Sequence, residues 1–171
     1  MPNEPQEFWN YSLQLYKQEG VAAACLELQD AYQLDVNLIL FCFWYGSAYG
    51  DLDQGLLQNT VELSIEWRAH VVQPLRNART WMKLNPSPSG KFTSLRESIK
   101  ADELIAEKYQ QEEMASLASE FNRGRQCLRG IDDIGGNIER LLNALKIERD
   151  EKITSRIGIL RSALAGQIAG G

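Results

Sequence analysis

The fourteen residues Val36–Tyr49, VNLILFCFWYGSAY, decide how the rest of the chain must be arranged. Apolar side chains follow one another without the alternation of a half-buried strand and without the single stripe of a surface helix. A helix that is apolar nearly all round is a central helix with neighbours on most sides. The run is too short to cross a bilayer. Asp35 stands where an N-cap belongs, and Leu34 and Ile39 occupy the two positions of a hydrophobic staple. Gly46 and Gly50 loosen the far end.

Outward from this segment the sequence predicts more helices. Gln6–Lys17 and Val21–Tyr32 carry helical apolar spacing on either side of Gly20. Asp53 is placed to cap a fourth helix with two apolar stripes, and Pro74 should kink it. The segment 75–84 continues as helix, and Asn85–Gly90, NPSPSG, is the clearest loop. Ser94 with Glu97 makes a capping box for a long helix to Phe121. Its apolar side reads Leu95, Ile99, Leu104, Ile105, Tyr109, Met114, Leu117 and Phe121. Gly124, Gly130, Gly135 and Gly136 form a second weak zone, with Gly135–Gly136 read as a hinge. A final helical stretch follows, in which Ile134, Ile138, Leu141 and Leu145, then Ile153, Ile157, Leu160 and Leu164, repeat a 4, 3, 4 spacing. That is a narrow, coiled-coil-like stripe. The expected fold is all-α: an irregular or orthogonal helical bundle around the central apolar helix, with a C-terminal helical extension. Residues 1–122 form the bundle domain, and 123–171 the Gly-rich hinge and amphipathic helix.

Composition narrows the class. Of 171 residues, 44% are hydrophobic and 24% charged, ordinary values for a globular chain. The net charge of −5 argues against general nucleic-acid binding. Met1–Gln6 is polar and acidic, unlike a secretory leader, so a cytoplasmic setting is expected. Three widely spaced cysteines, Cys25, Cys42 and Cys127, support neither a zinc site nor a disulfide framework, and Cys25 and Cys42 are read as reduced core residues.

At this point a resemblance emerges. Phe8-Trp9, Ser12-Leu13, Leu15-Tyr16, Gly20-Val21 and Ala24-Cys25-Leu26 are followed by Leu28-Gln29-Asp30, Asp35-Val36-Asn37-Leu38, Leu40-Phe41-Cys42 and Trp44. Later come Trp67-Arg68, Val71-Val72, Pro74-Leu75-Arg76, Arg79 and Lys83. This pattern is similar to an uncharacterised proteobacterial family, domain of unknown function 2390, densely from Phe8 to Lys83 and loosely to Phe121. The resemblance implies a small, cytoplasmic, helical bacterial protein. It implies no activity and no catalytic residue.

The residues themselves name no reaction. His70 is the single histidine. A di-iron bundle needs two Glu-x-x-His motifs and a catalytic zinc two or three histidines, so no metal and no cofactor is expected. His70 reads as a partly buried structural residue. Asp51–Asp53 and Asp132–Asp133 read as helix caps rather than acid–base pairs. No phosphate loop occurs. Asn37, a polar amide one residue into the core helix, must find partners or face a small pocket. Together with Phe41 and Trp44 it marks a candidate ligand pocket.

Charge is unevenly spread. Residues 1–60 hold eight acids and one base, net −7, and residues 68–100 seven bases and one acid, net +6. Arg76, Arg79 and Lys83 share one helical face. That face can pair internally with the acidic first half, stay solvated, or dock an acidic partner, a phosphate-bearing ligand or RNA. The leading expectation is a non-catalytic interaction or adaptor protein. It would bind a protein partner or itself through Arg76, Arg79 and Lys83 and through Ile138, Leu141 and Leu145. Neither a membrane nor, outside that basic face, a nucleic acid is expected. The alternative is a small apolar-ligand-binding bundle. An enzyme using carboxylates alone is the weakest reading.

Overall fold

A helix apolar on every side needs neighbours on every side, and α3 (Val36–Ala48) has them. The computed structural model describes residues 7–124 and 133–169, with side chains to residue 166 in the last helix. Among the described residues the chain is all-α, with eight α-helices and no strand. They are α1 (Phe8–Tyr16), α2 (Val21–Tyr32), α3, α4 (Gln54–Trp67), α5 (Gln73–Leu84), α6 (Phe92–Asn122), α7 (Asp133–Ala144) and α8 (Glu151–Ala169). Helices α1, α2, α4, α6 and α7 pack around α3, while α8 lies against α2 and α1. None of the described helices is long and apolar enough to cross a membrane.

The caps expected around α3 are present. Asp35 Oδ1 accepts from the Asn37 amide at 2.9 Å, and Asp53 Oδ1 accepts from the Gly55 and Leu56 amides at 2.8 and 3.2 Å. Asp51 is not a cap. Its carboxylate pairs with Arg140 on α7, with a 3.0 Å bond between Arg140 Nη2 and Asp51 Oδ2.

Helix α7 makes the closest approach to α3. A Cβ on Gly46 would stand 2.6 Å from Ile134 Cγ1 and 3.3 Å from the Ile134 backbone, so only glycine lets the two helices touch there. Beside this contact Asn137 is fully buried. Its Oδ1 accepts from the Leu52 amide at 2.8 Å, and its Nδ2 donates to the Gly50 carbonyl at 3.0 Å. One side chain thus satisfies both a donor and an acceptor of the α3–α4 connection, which would otherwise be orphaned in the core.

Several local expectations are corrected. Gly135 and Gly136 lie inside α7 rather than in a hinge. Burial of Ile134, Asn137, Ile138, Leu141 and Leu142 against the core holds that segment helical despite two poor helix formers. The final stretch is two helices rather than one. The chain turns between them, with Lys146 at a φ of 57°, and Asp150 Oδ1 caps α8 through the Ile153 amide at 2.8 Å. The break lets one half of the apolar stripe face α3 and the other face α2. Helix α6 begins at Phe92, ahead of the Ser94–Glu97 box. Pro74 is preceded by a π turn over Arg68–Val72, a wider coil that accommodates a residue with no amide donor. Ile134, Ile138, Leu141 and Leu142 of α7 and Ile153, Ile157, Leu160 and Leu164 of α8 belong to the same buried cluster as α3. Cys127, Gly130 and Asp132 lie outside the described residues.

Gly46→Ala forces α7 away from α3 and is expected to cost about 1–3 kcal/mol, the usual penalty of overpacking a core. Urea unfolding measures it, and an unchanged midpoint would show that the close approach is not required.

Candidate functional site

The N-terminal half of the long helix α6 is turned the other way from the one its apolar residues suggest, while Met114, Leu117 and Phe121 face the core as expected. Leu95, Leu104, Ile105 and Tyr109 are exposed, whereas Glu103, Gln110 and Gln111 are buried and Glu107 is half-buried. Positions 103, 107, 110, 111, 114 and 118 are spaced 4, 3, 1, 3 and 4, which puts them on one face. That face is polar where it meets the N-terminal end of α3 and apolar, through Met114 and Ala118, further along.

The polar half forms a continuous network with α3 and α4. Asp35 Oδ2 accepts from Ser64 Oγ at 2.6 Å and from Gln110 Nε2 at 2.7 Å. Asn37 Nδ2 donates to Gln110 Oε1 at 2.8 Å, and Gln111 Nε2 donates to Asn37 Oδ1 at 2.8 Å. Trp67 Nε1 donates to the Ala106 carbonyl at 2.9 Å and braces α4 against α6. Two atoms are left over. Gln111 Oε1 and Ser12 Oγ are buried and have no hydrogen-bond partner. Leaving such groups unpaired costs about 1–3 kcal/mol each.

Both orphans belong to residues that line a cleft of about 390 Å³. Its apolar walls come from Trp9 and Leu13 of α1, Leu26 of α2, Val36 and Leu40 of α3, and Leu104 of α6. Asn37, Gln110 and Gln111 contribute amides, and Asp35, Arg68, Arg76, Arg79, Glu103 and Glu107 contribute charge. The charged side is pre-paired. Arg76 Nε lies 2.8 Å from Glu103 Oε1 and its Nη2 3.0 Å from Glu107 Oε1, while Arg79 Nε lies 2.7 Å from Glu103 Oε2. Arg68 donates to the Gln33 carbonyl at 3.2 Å.

The two carboxyls respond oppositely. Burial opposes ionisation of Glu103, but hydrogen bonds from Arg79 and Arg76 outweigh it and hold the group below the ordinary carboxylate range. Burial raises Glu107, and its single bond to Arg76 does not compensate. Glu107 is therefore the less well satisfied anion of the cleft.

The structure places the residues singled out from sequence in three settings. Asn37, Arg76 and Arg79 converge on the cleft. Phe41 and Trp44 do not line it. They pack with Phe8, whose ring centroid lies 5.7 Å from that of Phe41 and 5.0 Å from that of Trp44. Ile138 and Leu141 are buried in the core and Leu145 packs against it. Lys83 is exposed near the α5–α6 loop. His70 is exposed on the π turn, 3.3 Å from Glu66, and is not the partly buried residue expected. No group of three or more potential metal ligands occurs among the described residues. Sequence reasoning missed Ser12, Glu103, Glu107, Gln110 and Gln111. The available signal was a 4, 3, 1 spacing of polar residues between apolar ones on α6, which reads as solvent-facing until the tertiary packing is known.

A family model described as protein of unknown function (DUF2390) matches residues 7–114. The chain belongs to this family. The matched span contains every residue lining the cleft and ends before α7 and α8. Trp9, Ser12, Asp35, Asn37, Arg68, Arg76 and Arg79, which carry the sequence resemblance, are also cleft residues. No curated protein and no solved structure matches the chain.

Glu103 supplies the pH-sensitive part of this site. Its folded pKa is depressed, so its stabilisation is present above its unfolded value near 4.5 and is lost as pH falls through the folded value. Glu103→Gln is expected to cost about 2–3 kcal/mol at pH 7, the scale of lost hydrogen bonds to charged groups. The difference from the parent should shrink below pH 4.5 in urea titrations, and a pH-independent difference would contradict this assignment.

Proposed function

We propose that this DUF2390 protein binds a small organic molecule in the cleft between α1, α2, α3 and α6. One observation carries the reading: two buried polar atoms, Gln111 Oε1 and Ser12 Oγ, lack partners and belong to residues lining the same cavity. A core that only had to be stable would replace such groups with apolar ones. A binding site retains them, because they orient a ligand whose body rests on apolar walls. Pre-paired arginines and carboxylates on the rim favour binding over catalysis, since their charges are already neutralised by one another. The buried thiols of Cys25 and Cys42, the former pushed up to about 12 by burial, suit a reducing cytoplasm.

A second reading, the interaction protein, is favoured by the α5–α6 hairpin. Among the described residues Met82 alone is buried between Gln73 and Asp102, so this part stands out from the core. Trp81 is 59% and Leu84 74% exposed, with Phe92 and Leu95 beside them in the hairpin and Lys83, Lys91, Arg96 and Lys100 interspersed. A protein partner or a second copy would use this tip rather than the C-terminal stripe, whose residues lie in the core. Trp81→Ser with Leu84→Ser should then abolish an association seen by sedimentation of the full-length chain.

The ligand reading is tested by thermal unfolding across a broad panel of small molecules. A true ligand at about 100-fold above its Kd should raise Tm by roughly 5–10 °C through mass action. Leu26→Trp, at a half-exposed wall position, should fill the cleft and remove that rise without unfolding the protein. A panel that shifts nothing overturns the reading.

A further inference from the structure

We infer that the tip of the α5–α6 hairpin docks on an anionic lipid surface. Trp81, Leu84 and Phe92 enter the headgroup layer, and Lys83, Lys91 and Lys100 meet lipid phosphates. The inference does not rest on the cleft reading.

The tip combines three features that do nothing for the stability of the bundle. Leu84 and Trp81 are the most exposed large apolar side chains among the described residues. They end α5, and exposed Phe92 and Leu95 begin α6 across the loop. The rings of Trp81 and Phe92, with centroids 6.4 Å apart, gather this apolar surface at one end of the hairpin. Next comes charge. No acid occurs from Trp67 to Arg96, and residues 68–100 carry net +6 on a chain of net −5. Arg76 and Arg79 pair inward with Glu103 and Glu107, whereas Lys83, Lys91 and Lys100 are exposed and enter no ion pair among the described residues. Last, Lys91 stands at the N-cap of α6, with no side-chain cap bond and no acid in the first turn. A cation there opposes the helix dipole, so the local structure gains nothing from it.

Lipid fits this surface better than protein does. Protein interfaces are depleted in lysine, yet three lysines lie beside the exposed tryptophan and leucine here. An ammonium on a flexible apolar stem suits phosphates at shifting positions in a fluid layer. Tryptophan is favoured at a membrane–water boundary because its ring is apolar and its N–H polar. Since Met82 alone is buried between Gln73 and Asp102, the tip can reach a flat surface while the acidic body stays clear of it. Apolar insertion plus a basic cluster are the two signals a peripheral anchor needs. Such a contact requires no spanning helix, and none of the described helices is one.

The test is co-sedimentation of the full chain with vesicles of phosphatidylcholine alone, or of phosphatidylcholine and phosphatidylglycerol in equal parts. Binding to the mixed vesicles should be about tenfold or more tighter than to phosphatidylcholine, and should weaken at high salt. Lys83→Gln with Lys91→Gln should lower it about tenfold or more, since each lysine near an anionic surface is worth about fivefold. Lys17→Gln with Lys152→Gln removes the same charge outside the hairpin and should leave binding nearly unchanged. Trp81→Ser with Leu84→Ser should abolish it, and circular dichroism checks that every variant is folded. Equal binding to both vesicles, binding to neither, or an equal loss from the two lysine pairs overturns the inference. Self-association of the free chain that disappears in the Trp81→Ser, Leu84→Ser variant, without vesicle binding, assigns the tip to protein and also overturns it. The thermal panel on the cleft is decided separately, so failure here leaves the ligand reading standing.

Discussion

The polar face of α6 is the constraint on which the arrangement turns. Glu103, Glu107, Gln110 and Gln111 face the bundle, and each must be answered by another element. Two arginines from α5 answer the carboxylates, which fixes the α5–α6 hairpin. Asp35, Asn37 and Ser64 answer the amides, which fixes the start of α3 and the middle of α4. Asp35 does two jobs at once: one oxygen caps α3 and the other anchors the network. The helix cap and the floor of the cleft are therefore one structural unit, and a change at either is felt at the other.

At the opposite end of α3 the demands are steric. Gly46 admits Ile134, Asn137 closes the turn into α4, and Arg140 pairs with Asp51. The Gly46–Ile134 contact and the Asn137 bonds are close-packed and buried, in keeping with a role in stability. The end near α6 is polar and incompletely satisfied. A single helix thus carries a close-packed attachment at its C-terminal end and a polar, incompletely satisfied surface at its N-terminal end. The family match ends within α6, so α7 and α8 lend support from outside the matched region while the cleft lies wholly inside it.

What could be read from sequence follows the same division. The central helix, its Asp35 cap and the Asp53 cap were legible because local rules and tertiary packing agree there. The pairing of Arg76 and Arg79 was legible only as one of three alternatives, and with the wrong acids: their partners come from α6 rather than from the acidic first sixty residues. The two glycines of α7 were misread because packing overrides propensity. The orientation of the first half of α6 was not legible, whereas Met114, Leu117 and Phe121 face the core as their spacing predicts. Leu104, Ile105 and Tyr109 outweigh a polar spacing in any periodicity argument, and only the partners at Asp35, Asn37, Arg76 and Arg79 reverse it. The failure of the apolar pattern coincides with the cleft.

Whether the amide network serves binding rather than stability can be measured directly. Replacing the three buried amides together, as Asn37→Leu, Gln110→Met and Gln111→Met, removes the network's polar groups while Asp35 keeps Ser64 and its own helix cap. Unfolding and ligand binding are then measured on the same variant, with the ligand identified by the thermal panel. If the network exists for binding, the variant unfolds at the same denaturant concentration as the parent or a higher one and no longer binds. A variant that unfolds readily, or that stays folded and binds as before, would contradict the account.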